Sequence, residues 1–477
     1  MNSTSIVASD AAQHDAAVAV SPSQLSETAQ HCNVPPTSQT TEFASQLARL
    51  PALRSSIRAA SVACALVYFV ISKVGFEPRL AVGAFSANQV LQFGVMAGLA
   101  AMLWCGDVRR IVRSRTVWLV SALALLLAVQ ALGAHNTAYA SAKPLGYLGL
   151  VIPAFAVFAA GLRSRDDVRR FLTLWALIGS GMMALGLVLL ATGNAPPRLA
   201  VFGGGSNGYA RIVSTAFLLW LGLDTRLGPR RIPVWVLALP AFALTLLFAG
   251  SKAAILGLGI SLAVLGLFRR NRTLLVCAVT GIALFALAPV WTHEIARHAN
   301  KNRGEVRMFI DPDTHDPRGS YGTRLTYYRR SLEFLKSAPL WGVGTGEWHS
   351  VVGLPSGRRH PHNMELELAC ELGLAGVAWL LAMLVVAARW LYRLQRTGGS
   401  RRSFEALIAV LAFWMFNAQL NGDLLDNRWI WLAILLTEIL VSMQDTAHER
   451  DAGRASDGNG IAPDGTQTTS GRVAGIA

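Results

Sequence analysis

Apolar residues fill this chain in long blocks, most of which reach the roughly 17 to 25 residues a helix needs to cross the hydrocarbon core of a bilayer. The blocks lie near residues 58–76, 84–105, 116–134, 144–162, 171–192, 209–224, 232–250, 252–268, 273–290, 372–390, 404–421 and 428–444. They predict an all-α polytopic membrane protein of about twelve transmembrane helices. The flanks are different. Residues 1–57 are rich in Ser, Thr, Ala, Gln and Pro, residues 445–477 are similarly polar, and neither flank carries the apolar surface that folding requires. Both are expected to be disordered. No basic segment followed at once by an apolar run and a small-residue cleavage site precedes the first block, which is therefore expected to remain as a helix.

One polar interval dominates the spacing of the blocks. Residues 58–290 hold helices one to nine, residues 372–444 hold helices ten to twelve, and 291–371 form a single large loop between them. Arginine placement sets the orientation. "DVRRIVRSR", "RSRDDVRR", "TRLGPRR", "RRNR" and "RWLYRLQRTGGSRR" alternate with connections that hold few basic residues, so the basic connections and both termini are expected at the cytoplasmic side. The large loop falls on the outer side by parity. From Trp291 to His362 it carries eleven Lys and Arg against seven Asp and Glu, and loops of that length translocate largely regardless of charge.

Composition agrees with the blocks: 53% of residues are apolar, 15% are charged and the mean hydropathy is +0.41, above the usual range of soluble domains. A net charge of +15 in a soluble protein would point to nucleic acid. Here the arginines lie between membrane blocks and orient them, so no nucleic-acid partner is expected. The five cysteines are scattered without a CxxC pair, and read as small buried hydrophobes rather than as disulfides or zinc ligands.

Candidate chemistry collects in the large loop, which contains His293, His298, His315, His349, His360 and His362 out of ten histidines in the chain. Within it, "SYGTRLTYYRRSLEFLKSAPLWGVGTGEW" places Leu325, Tyr328, Leu332, Phe334 and Leu335 near helical spacing and stops at Pro339. That predicts a helix lying along the membrane surface, followed by the turn "GVGTG". "DPDTHD", Asp311 to Asp316, has the Asp-x-Asp spacing of a divalent-cation site, but its proline and polar neighbours read as a solvated turn, and no metal is expected.

The order Arg324, then "PLWGVGTG", then "HPHNMELELACELGLAG" resembles the signature of the O-antigen ligase and polymerase superfamily. The resembling elements are a Gly-rich turn, the pair His362-Asn363, Leu366, and Glu371-Leu372-Gly373-Leu374-Ala375-Gly376. The resemblance is detailed over about 320–390, and twelve spans with one large outer loop match the family's general plan. Upstream, "GGGSNGYAR" resembles the family's Gly-rich approach to a helix. "GSKAAILGL" resembles its Ser-Arg-Gly-like turn, except that Lys252 stands where Arg is usual, which weakens any bidentate phosphate role there.

The resemblance implies transfer of a glycan from an undecaprenyl pyrophosphate carrier to a hydroxyl acceptor, at the periplasmic face of a bacterial inner membrane and without a cofactor. Cations at the membrane surface would then stabilise the departing pyrophosphate, and Arg211, Arg324 and Lys252 are the candidates. His362 would be the general base, being neutral near pH 7 and set before the N-cap candidate Asn363, with Met364 opening the helix. His360 reads as a substrate contact or a structural hydrogen-bond donor. Arg358 and Arg359 read as headgroup anchors. Glu371, two turns beyond Asn363, is expected to pair with an inward arginine rather than to catalyse, while Gly373, Gly376 and Ala369 read as surfaces for close helix packing.

A basic loop of this size suits a phosphate-rich acceptor, so ligation to the lipid A core is favoured over chain polymerisation and over protein O-oligosaccharyl transfer, which differ mainly in the acceptor. A twelve-helix transporter or lipid flippase is the more distant alternative. Such proteins place ionisable groups near the bilayer midplane on repeated halves, whereas here these groups pool in one loop.

Overall fold

The computed structural model describes residues 38–71, 81–82, 85–104, 108–135, 137–196, 199–201, 205–227, 232–283, 319–337, 340–352, 360–396, 401–420 and 422–457. The chain divides into two units, Met1–Ser56 and Ile57–Ala477. The described part of the first, residues 38–56, is helical. The sites described below lie in the second.

The elements are α1 (Ser38–Ile71), α2 (Ala87–Trp104), α3 (Val108–Arg113), α4 (Arg115–Ala131), α5 (Thr137–Gly146), a π turn at Tyr147–Val151, and α6 (Ile152–Gly161). They continue with α7 (Arg165–Ala191), α8 (Ser206–Leu223), α9 (Val234–Ala249), α10 (Lys252–Arg269) and α11 (Arg272–Ala283). The last are α12 (Gly319–Ser337), α13 (Trp348–Val352), α14 (Met364–Arg396), α15 (Arg401–Ala418) and α16 (Arg428–Asp457). Two short hairpins, Ala81–Val82 with Phe85–Ser86 and Arg226–Leu227 with Ile232–Pro233, are the strands among the described residues.

Among the described residues each apolar block falls largely on a helix, and by length and composition five segments are able to cross a membrane: Ala52–Val70, Tyr139–Gly161, Arg165–Ala191, Lys252–Arg269 and Met364–Arg396. The helices run past the blocks at both ends of the chain. The first starts at Ser38, inside the stretch expected to be a disordered tail, and the last continues to Asp457, beyond residue 445. Once a helix is nucleated, polar helix formers extend it for one hydrogen bond per residue, and a hydropathy window does not register that. α14 likewise begins at Met364, eight residues before the block, because Asn363 accepts a hydrogen bond from Leu366 N (2.9 Å) as its N-cap.

Burial separates interior helices from lipid-facing ones. In α8 every residue from Tyr209 to Leu223 is buried, and in α16 every residue from Trp429 to Val441. A helix buried all round belongs in the centre of a bundle. Around these two stand helices that expose large apolar side chains on one face, such as Phe93, Leu125, Leu177, Leu237, Leu267 and Val385. Those faces suit lipid. Lipid drives helices together weakly, so close contact depends on small residues. A Cβ on Gly222 of α8 would lie 2.5 Å from the Ala406 backbone of α15, and one on Gly179 of α7 would lie 2.6 Å from Ala216 of α8.

The two ends of the bundle differ electrostatically. At one end, Arg269 Nε donates to Glu405 Oε2 (2.7 Å) while its Nη2 donates to the carbonyls of Leu221 and Gly222 (3.2 Å each), closing the C-terminus of α8. Arg402 pairs with Asp224 (3.4 Å) and Arg110 donates to Leu162 O (3.2 Å) at that same end. α8, α14 and α16 all begin at the other end, which holds the histidines.

Candidate active site

α14 is broken near its start. Gly373 has φ +59° and ψ −143°, which interrupts the helical hydrogen bonds of the preceding turn. The turn "GVGTG" fills the gap. Val343 N donates to Cys370 O (2.8 Å), Gly344 N to Glu371 O (3.0 Å), and Leu374 N to Leu340 O (3.1 Å) instead of to its own helix. Gly342, Gly344 and Gly346 all have positive φ, the conformation glycine adopts at least cost. A Cβ on Gly373 would collide with the Leu340 carbonyl, and one on Gly376 with the Leu368 carbonyl of the same helix (2.5 Å). These two glycines therefore serve a backbone break rather than the helix–helix packing expected of them.

Just before the break, Glu367 and Glu371 share one cation. Lys143 Nζ of α5 lies 2.6 Å from Glu367 Oε1 and 2.6 Å from each oxygen of Glu371, and the three side chains are 1–2% exposed. The expected partner of Glu371 was an arginine. Lys143 takes that place because α5 starts at Thr137, seven residues before the apolar block, and so carries the lysine into the bundle.

Above the break sits the His-Asn loop. His362 has φ +60°, a left-handed conformation that polar residues such as histidine adopt more readily than branched ones. It sets the two rings in contact: His360 Nε2 lies 3.1 Å from His362 Nδ1, with the ring planes at 82°. Three side chains hold the loop. Asn363 donates to Gln419 Oε1 (3.0 Å), Gln419 donates to Glu365 Oε1 (2.5 Å), and the Tyr328 hydroxyl of α12 lies 2.5 Å from Gln419 O and 3.5 Å from His362 O. Burial raises the Tyr328 phenol above its ordinary pKa, against the opposing pull of Arg324 one helical turn earlier. Arg324 thus stands beside the loop, on the helix expected to lie along the surface. That helix turns Tyr327 and Ser331 toward Trp348 and Cys370 and leaves Leu325 and Leu332 exposed.

The histidines face a cavity of about 350 Å³, whose opposite wall is the start of α8, with Gly205, Asn207, Gly208 and Arg211. Gly205 supplies no side-chain cap, so the first amides of α8 point to the cavity end with the positive end of the helix dipole. Arg211 is 5% exposed, lies 5.1 Å over the Trp414 ring, and donates through Nε to Asn207 O (3.4 Å), while its buried Nη1 has no hydrogen-bond partner among the described residues. Asp426 and Arg428 complete the lining beside Trp429. Arg428 donates to Leu425 O (3.1 Å) and Phe69 O (2.8 Å) and lies over the Phe69 and Trp429 rings. Trp429 is itself stacked between Trp175 (5.1 Å) and Trp414 (5.4 Å), a rigid floor.

The structure therefore brings Arg211, His360 and His362 to one cavity, with Asn363, Tyr328 and Arg324 behind the loop. Lys252 is not among the lining residues; it is exposed at the first position of α10. Arg358, Arg359, His293, His298 and the stretch Asp311 to Asp316, with His315, lie outside the described residues. Asp426, Arg428 and Lys143 went unread in the sequence, although an arginine opening an apolar block is the kind of signal that marks a site in a membrane protein.

A mostly helical protein, with five helices among its described residues long and apolar enough to cross a membrane, thus gathers cations and imidazoles around a cavity at one end of its bundle. Residues 235–381 match the family model described as O-Antigen ligase, consistent with membership of the O-antigen ligase and polymerase superfamily. No curated protein matches the chain. The matched segment contains Arg324, His360, His362, Asn363 and Glu371, while Arg211, Asp426 and Arg428 lie outside it and meet His360 and His362 at the cavity only in the folded protein.

Proposed function

We propose that this cavity is the donor site of an O-antigen ligase, which moves a glycan from undecaprenyl pyrophosphate to a hydroxyl of the lipid A core. The match to the O-antigen ligase family supports a lipid-linked glycan transferase in general. The observation that carries the finer reading is Arg211: a buried guanidinium with an unused Nη1, beside uncapped helix amides and across the cavity from two histidines. Pyrophosphate oxygens would satisfy all of these donors at once. Arg211, with Arg428 near it, binds the diphosphate, and Arg324 approaches from the α12 side. Lys252 is left with at most a long-range electrostatic part. The arginines supply the positive charge, so the reading assigns no metal.

In the reaction the acceptor oxygen forms a bond to C1 of the donor sugar as the C1–O bond to the pyrophosphate breaks. The electron pair leaves with the pyrophosphate, and the hydroxyl proton passes to His362. Imidazole geometry then constrains the histidine pair. For Nε2 of His362 to accept that proton, its Nδ1 must carry hydrogen and donate to His360 Nε2, which in turn requires His360 to be protonated on Nδ1. His360 thus selects the tautomer as an acceptor, where the sequence reads it as a substrate contact or a hydrogen-bond donor. Asn363 and Glu371 hold the loop and the helix beneath it.

In this reading the cavity faces the periplasm, the Arg-rich end faces the cytoplasm, and twelve helices cross the inner membrane. The test is transfer by the purified full-length protein in detergent, with a lipid-linked glycan donor and a core acceptor. A transferase makes product there, whereas a transporter needs two compartments. His362→Ala should lose about a hundredfold or more in transfer while still binding donor. Near-normal transfer by both His362→Ala and His360→Ala would sink the general-base assignment. In cells, a deletion strain should lose all lipopolysaccharide ladder bands; a single repeat capped on core would instead indicate a polymerase.

A further inference from the structure

At the end of the bundle opposite the histidines lies a larger groove, of about 540 Å³, that the transfer reaction does not use. Arg110 and Arg113 of α3 line it from one side, and Arg163 and Arg165 at the start of α7 from another. Its floor is apolar, with Leu162, Ile439 and Met443. The acidic residue lining it, Glu438, accepts from Ser114 Oγ (2.9 Å), Arg115 N (2.7 Å) and Thr116 N (3.0 Å) at the start of α4. Nearby Asp167 is similarly occupied in the capping box of α7, accepting from Ser164 N (3.0 Å) and Arg163 N (3.1 Å). Burial, and then the charge of neighbouring Arg58, lower the Arg110 guanidinium from its ordinary pKa, with Asp167 opposing, so positive charge is crowded here.

The surroundings identify the level of this groove. Val108 and Val112 of α3 are exposed beside it, and Trp118, also exposed, donates to Val112 O (2.7 Å). An exposed indole with its N–H satisfied, next to exposed aliphatic side chains and arginines, belongs at a membrane–water interface.

We propose that this groove binds the headgroup of an anionic phospholipid, its phosphodiester held by the arginines and its acyl chains running over the apolar floor. Charge complementarity selects an anion, and the apolar floor, useless to a free phosphate ion, selects a lipid. The site is independent of the catalytic reading and survives its failure.

The test is native mass spectrometry of the full-length protein released from detergent, with cardiolipin or phosphatidylethanolamine as the added lipid and inorganic phosphate as competitor. Cardiolipin should be retained at least tenfold more strongly than phosphatidylethanolamine. Arg110→Gln with Arg165→Gln should weaken it about twenty-fivefold, at about fivefold for each arginine near the surface. The exposed Arg165→Gln alone should give the fivefold effect if the double variant fails to fold, and Arg329→Gln, on α12 at the histidine end of the chain's fold, should give none. Equal retention of the two lipids, or cardiolipin binding unchanged in the Arg165 variant, overturns the proposal. Displacement of cardiolipin by millimolar inorganic phosphate overturns the lipid in favour of a free anion.

Discussion

Replacing Lys143 by Met removes the cation that two buried carboxylates share, at nearly constant volume. Lys143 Nζ lies 2.6 Å from Glu367 and from both oxygens of Glu371, in a place where the three side chains are at most 2% exposed. Water cannot replace the lysine there. Removing one partner of a buried ion pair costs about 3–5 kcal/mol, because the charge left behind is uncompensated, and here two charges are left facing each other. The expected loss lies in the upper part of that range. Thermal unfolding of the purified protein in one detergent, followed by tryptophan fluorescence, should show Lys143→Met melting several degrees below the parent. The informative comparison is the triple variant Lys143→Met, Glu367→Gln, Glu371→Gln, which has no buried charge to compensate and should recover most of the loss. A single variant within about 1 kcal/mol of the parent, or a triple variant no more stable than the single, would refute the argument that charge pairing anchors α5 to the broken start of α14.

Two further outcomes follow from the geometry. Arg211→Lys keeps the charge but loses the planar fork and the contact over Trp414, so donor binding should fall nearly as far as in Arg211→Ala, whereas full binding by the Lys variant would reduce Arg211 to a point charge. Gly373→Ala places a methyl group against the Leu340 carbonyl at positive φ and should destabilise by about 1–3 kcal/mol, with loss of transfer even though no substrate contact is removed; Gly181→Ala, which meets nothing within 4 Å, should be tolerated, and equal behaviour of the two would show that the break in α14 is not required.

Hydropathy located the apolar helices among the described residues, though not their polar extensions or the short helices between them, because in lipid every backbone polar group must be satisfied within its own segment. Local chemistry was legible too. The Asn363 cap, the helix beginning at Met364, and the helix of 319–337 ending before Pro339 all follow from neighbours in sequence, and structure agrees with each. What only the tertiary structure decided is which distant polar groups meet. Arg211 and the histidines stand about 150 residues apart in a chain, and a common cavity exists only because α8, α14 and α16 start at one end of the bundle. The partner of Glu371 depended on α5 reaching back to Thr137, which polar residues ahead of an apolar block do not announce. Likewise the glycines of "ELGLAG" look like packing surfaces in sequence, since small residues in an apolar helix usually are. Their actual requirement arises from a turn at 340–344 inserting into a broken helix, a contact that no local pattern encodes.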